Sequence, residues 1–402
     1  MQSNQTKFKE TEIGFIPEEW DVITIPEVSK NFDNKRRPLS SAERGKISGQ
    51  YPYYGAAGII DWVDDYIFNG KYLLIAEDGT VSDEDGRPTL QLTDGNFWVS
   101  NHAHVLQCEN FLETKFLYYA LKNKNIRAFI TGAVQPKLNQ ENLNSIPFPY
   151  PKEEEREFIC EILSSLDNKI ELNRKINANL EKIVSSLFKK WFVDVGDELS
   201  EGCSVIKLSN VLNTLESGKR PKGGAQKSGI PSIGAENVNG LGYYNYSSTK
   251  YVNENFYNEM KTGRIMDYDI LLYKDGAYIG KKTIFGLGFP FEKCCINEHV
   301  FILRSNNKMI NQFYLYFYLN QEDVTERIRH LNTNSAQPGI NQESLKSLEI
   351  LLPKKEIMDQ FGDIAEKAVS LILKNSIENK NLAELRDSLL PRLMSGKIRV
   401  KK

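Results

Sequence analysis

The sequence predicts an α/β protein built from two tandem α/β globular domains. Each is followed by a long helix, and the two helices form an antiparallel coiled coil, giving a dumbbell with pseudo-two-fold symmetry. Three observations carry this prediction. One half of the chain repeats the other in order. Each half opens with short β-type runs, Gly-rich turns and aromatic, helix-like stretches. Each half closes with a charged segment whose apolar residues recur at alternating steps of four and three.

The repeat is clearest where Thr131-Gly-Ala-Val-Gln-Pro-Lys-Leu-Asn-Gln-Glu-Asn-Leu143 returns as Thr333-Asn-Ser-Ala-Gln-Pro-Gly-Ile-Asn-Gln-Glu-Ser-Leu345. The same offset carries Pro151-Lys152 onto Pro353-Lys354. Upstream, Glu77-Asp78-Gly79 matches Lys274-Asp275-Gly276, Asn101 matches Asn297, and Arg37-Pro38 matches Arg220-Pro221. The first globular domain is expected over 1–150, a spacer helix over 151–197, the second globular domain over 198–352 and a second spacer helix over 353–402. Within the globular parts, Tyr72-Leu-Leu-Ile-Ala76 and Ile270-Leu-Leu-Tyr273 read as strands, Phe111 to Leu121 as a helix, and Phe313-Tyr-Leu-Tyr-Phe-Tyr318 as a buried helix.

In the first spacer the stripe is Ile159, Leu163, Leu166, Ile170, Asn173, Asn177, Leu180, Val184, Leu187 and Trp191. Its counterpart is Phe361, Ala365, Ala368, Ile372, Asn375, Asn379, Leu382, Arg386, Leu389 and Leu393. Two Asn interrupt each stripe, and buried Asn at such positions gives up stability to fix register and partner. Because the second globular domain begins where the first helix ends, the second helix must return along the first, which places Asn173 opposite Asn379 and Asn177 opposite Asn375. A helix of about 40 residues is roughly 60 Å long. Laid along B-DNA at about 3.4 Å per base pair, that covers between one and two turns, so both heads are expected to reach one duplex at a split target.

Composition narrows the function. The chain has 402 residues, 40% apolar and 11% aromatic, enough for two ordinary cores. The polar start and the lack of any apolar run near membrane-spanning length argue for a soluble cytoplasmic protein with no membrane partner. Five cysteines without a CxxC pair suit neither a disulfide framework nor zinc, so no metal site is expected. A net charge of −2 means that nucleic-acid affinity must come from local patches or from a partner. His102-Ala-His104, set against Glu298-His299-Val300, lacks a third ligand and reads as structural or hydrogen-bonding. Gly276-Ala-Tyr-Ile-Gly-Lys281 is one residue short of a phosphate loop and lacks its Ser or Thr. No Asn-Pro or Asp-Pro followed by an aromatic is present, and Glu113-Thr-Lys115 is a common fragment on an amphipathic helix, so no catalytic residue is assigned.

Basic and aromatic side chains near turns are the candidates for DNA contact. They are Lys35, Arg36, Arg37, Tyr51, Tyr53, Tyr54 and Lys137 in the first head, and Lys219, Arg220, Lys222, Lys274, Lys281 and Lys282 in the second. Gln135 and Gln337 are candidates for reading base edges, whereas Asn139 and Asn341 suit helix caps better.

Several motifs then stand in order along the chain. They are Glu12-Ile-Gly-Phe-Ile-Pro-Glu-Glu-Trp20, Leu187-Phe-Lys-Lys-Trp-Phe192, Leu271-Leu-Tyr-Lys-Asp-Gly-Ala-Tyr-Ile-Gly280, the two Gln-Pro-x-x-Asn-Gln-Glu segments and Leu389-Leu-Pro-Arg-Leu-Met-Ser-Gly-Lys-Ile398. On these residues the chain resembles, over essentially its whole length, the specificity subunit of Type I restriction-modification systems. The resemblance implies two target-recognition domains, each reading half of a bipartite sequence in double-stranded DNA. It also implies paired helices that set the gap and dock two methylase subunits. S-adenosylmethionine is then expected on the methylase, no cofactor on this chain, and a separate restriction and translocase subunit as a further partner. Two rival readings stand beside it: a self-contained nuclease or methyltransferase, and a two-headed protein scaffold.

Overall fold

A computed structural model describes residues 6–47, 49–132, 134–194, 203–332 and 338–400. The chain forms two compact units, Met1–Asp167 with Ala383–Lys402, and Asn168–Leu382. The long helices run Glu153–Phe192 and Lys355–Met394, and the division falls inside both rather than at their ends. The reason is packing. Ile159 and Leu163 sit in one core with Leu390 and Leu393, while Val184 and Phe188 sit in another with Phe361.

In the first unit an antiparallel sheet has the order Ser29–Asn31, Ala103–Cys108, Tyr72–Ala76, Leu90–Thr93. Side chains alternate across a strand, so Leu73, Ile75 and Leu106 face helix Phe111–Lys122, where Phe116 and Leu117 cover them. Leu74 and Val105 face the other way and meet Phe68, Phe97 and Val99 of a second sheet. Burial on both faces explains why Tyr72–Ala76 is apolar throughout. The second sheet has the order Ile59–Val63, Tyr51–Tyr54, Asn96–Val99, Phe68–Asn69, with its middle pair parallel.

Strand Asp21–Thr24 pairs with Pro147–Tyr150 and sets Trp20 against the first long helix. Trp20 is fully buried, and its indole Nε1 donates to Glu155 Oε2 at 2.9 Å. Arg399 grips the same carboxylate at 2.7 and 2.9 Å and reaches Glu19 at 2.7 Å. Gly396 adopts φ +67°, and a Cβ there would lie 2.3 Å from Pro17 Cγ, so this close approach requires glycine. Further along the helix pair, Arg386 meets Asp167 at 2.6 Å, and Tyr119 donates to the other oxygen of Asp167 at 2.8 Å.

The second unit repeats the plan. Its main sheet has the order Leu212–Ser217, Val300–Ser305, Asp269–Tyr273, Lys282–Phe285, with Gln312–Leu319 as the covering helix. Phe313, Tyr314, Tyr316 and Phe317 of that helix are buried, as the sequence predicts for this aromatic run. Phe188 and Phe192 pack on Tyr314, and Phe361 on Phe192, which joins the helix pair to the head. The helices run antiparallel here, with Asn173 Nδ2 donating to Asn379 Oδ1 at 3.0 Å and Asn375 Nδ2 donating to Asn177 Oδ1 at 2.8 Å. Asn173 is fully buried, and its Nδ2 also donates to Glu378 Oε2 at 2.7 Å.

Candidate nucleic-acid interface

The matched strands place equivalent residues of the two heads. Ala103 pairs with Ala76 in the first, and Val300 with Tyr273 in the second. This register makes Asp78 the counterpart of Asp275, His102 of His299, and Ser100 of Asn297. The sequence alignment of Asn101 with Asn297 is therefore one residue out. The offset that takes Asp78 to Asp275 also takes His102 to His299, a signal present in the sequence that the pairing of Asn101 with Asn297 obscures.

Three segments meet at the end of each main sheet. The first is the turn after the central strand, where Gly79 and Gly276 adopt φ +71° and +77°. The second is the approach to the neighbouring strand, where the His102 amide is capped by Ser100 Oγ and the His299 amide by Asn297 Oδ1. The third is the segment after Pro136 in the first head and from Pro338 in the second, fastened by Leu138 N to Glu77 O at 2.8 Å and by Ile340 N to Lys274 O at 2.9 Å. Asn139 and Asn341 then cap the short helices that follow, accepting from Asn142 N and Ser344 N, each at 2.8 Å.

The first head is held at this point by an ionic cluster. Arg36 donates to Glu77 Oε2 at 2.7 Å and to Ala103 O at 2.8 Å, and Lys137 lies 3.1 Å from Glu77 Oε1. His104, almost wholly buried, has Nδ1 2.5 Å from Asp33 Oδ2 and Nε2 2.7 Å from Leu138 O. Both ring nitrogens face acceptor oxygens, which hold the imidazole between Asp33 and the Leu138 carbonyl. Burial alone would raise Asp33, but the hydrogen bond and charge of His104, the Val105 amide and Arg36 hold its carboxyl below the usual range. Glu77 is likewise lowered, with burial outweighed by the hydrogen bonds of Arg36 and Lys137. Asp33, Glu77 and His104 bring ligand atoms within 4.8 Å of one another. Arg36, Lys137 and the hydrogen-bonded imidazole already engage the two carboxylates, so these donors do not suit a metal.

In the second head Phe301 stands where His104 stands in the first, and Lys274 Nζ lies 5.4 Å from its ring centroid and 3.3 Å from Asp275. The two heads thus share a backbone frame while the side chains within it differ.

Several residues expected at the DNA are directed elsewhere. Lys282 is 4% exposed, and its Nζ donates to Gly280 O at 2.6 Å and Thr325 Oγ1 at 3.0 Å. Burial, with the nearby charge of Arg329, pushes its ammonium down to about 7. It is a core lysine: it opens the strand Lys282–Phe285, which is buried throughout, while Lys281 lies before the strand and is partly exposed. Tyr53 is 1% exposed, with its hydroxyl accepting from Leu39 N at 2.9 Å, and it is a packing residue. Arg36 is spent on the ionic cluster. Tyr54 packs on Phe97 at 5.7 Å, and Tyr51 on Tyr66 at 5.0 Å, both half-buried.

Lys35, Arg37, Gln135 and Lys137 are exposed in the first head, as are Lys219, Arg220 and Lys222 in the second. Lys274 is only partly exposed, and Lys281 donates to Asn239 Oδ1 at 3.0 Å beside the ring of Tyr278. Gln337 lies outside the described residues. Glu113, from the Glu-x-Lys fragment, accepts from Arg156 and Tyr150 and is structural.

A model of the Type I restriction modification DNA specificity domain matches the chain twice, over residues 17–182 and 200–386. The chain is similar to the Type I restriction enzyme MjaIX specificity subunit of Methanocaldococcus jannaschii, with 23% identity across 98% of this chain and 97% of that protein. A putative Type I restriction enzyme specificity subunit of Haemophilus influenzae, S.HindORF215P, is 37% identical over 41% of this chain and 41% of its own length. Among solved structures, the Type I restriction-modification S subunit from M. genitalium shares the fold with a TM-score of 0.56 at 19% identity, covering 97% of this chain and 99% of that one. No helix among the described residues is long and apolar enough to cross a membrane.

Proposed function

Because this chain belongs to the Type I restriction-modification DNA specificity family, it is a non-catalytic DNA specificity subunit with two target-recognition domains, and we propose a division of labour within it. Each head reads one half of a bipartite target, and the paired helices set the gap and dock two methylase subunits. S-adenosylmethionine and the methyl transfer to adenine belong to the methylase, and cleavage to a restriction and translocase subunit that joins the complex.

The observation that carries this reading is the contrast between a shared frame and changed contents. Both heads hold the same turn, the same histidine and the same Gln-Pro fastening, yet Glu77 is replaced by Lys274, His104 by Phe301 and Lys137 by Gly339. Opposite charges at equivalent positions favour different base edges, so the two half-sites differ. Near-neutral overall charge suits a subunit whose partner also holds the duplex.

The test is genome-wide mapping of methylated adenine in cells expressing this chain with its methylase, against cells with the methylase alone. A new split motif with an unread gap of several base pairs is expected. An unchanged methylation pattern overturns the reading.

A further inference from the structure

One feature of the heads is kept where the rest has changed. His102 Nδ1 lies 2.7 Å from Asp78 Oδ1, and His299 Nδ1 lies 2.9 Å from Asp275 Oδ2. In both heads the imidazole is about half exposed, and the carboxylate sits on the Asp-Gly turn. The aspartate fixes the ring with its Nδ1–H inward and leaves Nε2 on the outer side. The neighbours of this pair differ between heads, with Asn101 replaced by Glu298 and Glu77 by Lys274. A group retained while its surroundings diverge serves what the two half-sites have in common. In DNA that is the sugar-phosphate backbone, since phosphate contacts position a protein and base contacts specify the sequence.

Two further observations favour an anion at Nε2. In the second head Glu298 Oε1 already lies 3.6 Å from His299 Nε2, an internal carboxylate at the place of an incoming phosphate oxygen. Each head also brings an Arg-Pro segment to this position. Arg220 approaches Glu298 at 3.8 Å, and Arg37, exposed, follows Arg36, whose guanidinium reaches Asn101 O at 3.3 Å.

We propose that Asp78–His102 and Asp275–His299 are a matched pair of backbone clamps, one in each head, in which the aspartate-held imidazole donates from Nε2 to a DNA phosphate beside Arg37 or Arg220. The ring takes its second proton from solvent as the phosphate docks. In the second head the arriving phosphate displaces Glu298, which turns to Arg220. This inference rests on the chain being a DNA specificity subunit.

The test uses the complex of the full chain with its methylase, comparing wild type with H102A/H299A. Affinity is expected to fall roughly tenfold or more, by the same factor on cognate and unrelated duplexes, with the methylated motif unchanged. Phosphate-ethylation interference is expected to lose one equivalent phosphate in each half-site. An altered motif, an unchanged ethylation pattern or loss of methylase assembly overturns the proposal. D78N/D275N, which keeps the shape but removes the charge that holds the imidazolium, carries the same test if thermal melting shows the alanine variant misfolded. A wild-type complex that binds no duplex removes the specificity reading itself, and this inference with it.

Discussion

Lys282 offers a sharp test of the second head, because the structure turns a residue that looks like a DNA contact into a core lysine. Its ammonium falls from 10.5 to about 7 on burial. At about 1.4 kcal/mol per pH unit, the protonated form costs the fold at most about 5 kcal/mol below neutrality. The sign follows from proton binding: between pH 7 and 10.5 the unfolded chain holds a proton that the folded chain has released, so this contribution to stability rises with pH. Lys282→Met removes the penalty but strands Gly280 O and Thr325 Oγ1 without their donor, at about 1–3 kcal/mol for each buried group.

The variant is therefore expected to be less stable than wild type near pH 10 and to recover towards pH 6–7, where the relieved penalty of at most about 5 kcal/mol offsets a loss of about 2–6 kcal/mol at the two acceptors. Buried Cys294 and Cys295 have raised thiol values, which makes absolute stability fall at high pH, so the difference between variant and wild type is the quantity to read. Hydrogen exchange of the Lys282–Phe285 strand amides in the full chain, from pH 6 to 10 and corrected for intrinsic rates, gives that difference locally. A difference that does not change with pH, or one that moves against the variant as pH falls, refutes the argument. DNA affinity of the complex should be unchanged.

Three more outcomes follow from the packing. Asn173→Leu leaves the partly buried Asn379 without its donor and should destabilise the second unit by about 1–3 kcal/mol, whereas Asn173→Leu with Asn379→Leu should recover much of this; urea titration of both variants decides. Asp33 and Glu77 are lowered from 3.8 and 4.5, so their contribution to stability is present above those values and lost as pH falls through the lower folded values. Melting of the first unit should accordingly drop as pH falls below about 4.5, and less so in a His104→Asn, Glu77→Gln variant. Arg399→Met leaves Glu155 buried beside Trp20 with its guanidinium partner gone, and should cost about 3–5 kcal/mol, read as a red shift and earlier melting of Trp20 fluorescence in a chain whose other tryptophans are replaced.

Much of the architecture was legible because it repeats. The Gln-Pro segments set the period, and the alternating four-and-three spacing set the helix faces. Connectivity then set their direction, which is why the Asn173–Asn379 and Asn177–Asn375 pairs follow from the sequence. The candidate site was less legible, because its chemistry depends on partners distant along the chain. Lys35-Arg36-Arg37 reads as one basic cluster, yet Arg36 alone turns inward to acceptors at Glu77 and Ala103. Lys281-Lys282 reads as a pair, although a wholly buried strand begins at Lys282 and leaves Lys281 outside it. Tyr51, Tyr53 and Tyr54 look alike in sequence, and only the placement of Leu39 and Phe97 shows which are packed away.

The clasp of Trp20, Glu155 and Arg399 has a consequence for how the molecule is made. The second unit is one unbroken stretch of chain, but the first draws on both Met1–Asp167 and Ala383–Lys402. On the ribosome the second unit has all its residues before the first does, and the head synthesised earliest must wait for Leu390, Leu393 and Arg399 to close its core. A product terminated before residue 383 keeps every residue of the second unit and none of the closing segment of the first. The first head therefore stays open until that closing segment has been made, and a chain ended before it carries an open core in place of the first reading surface.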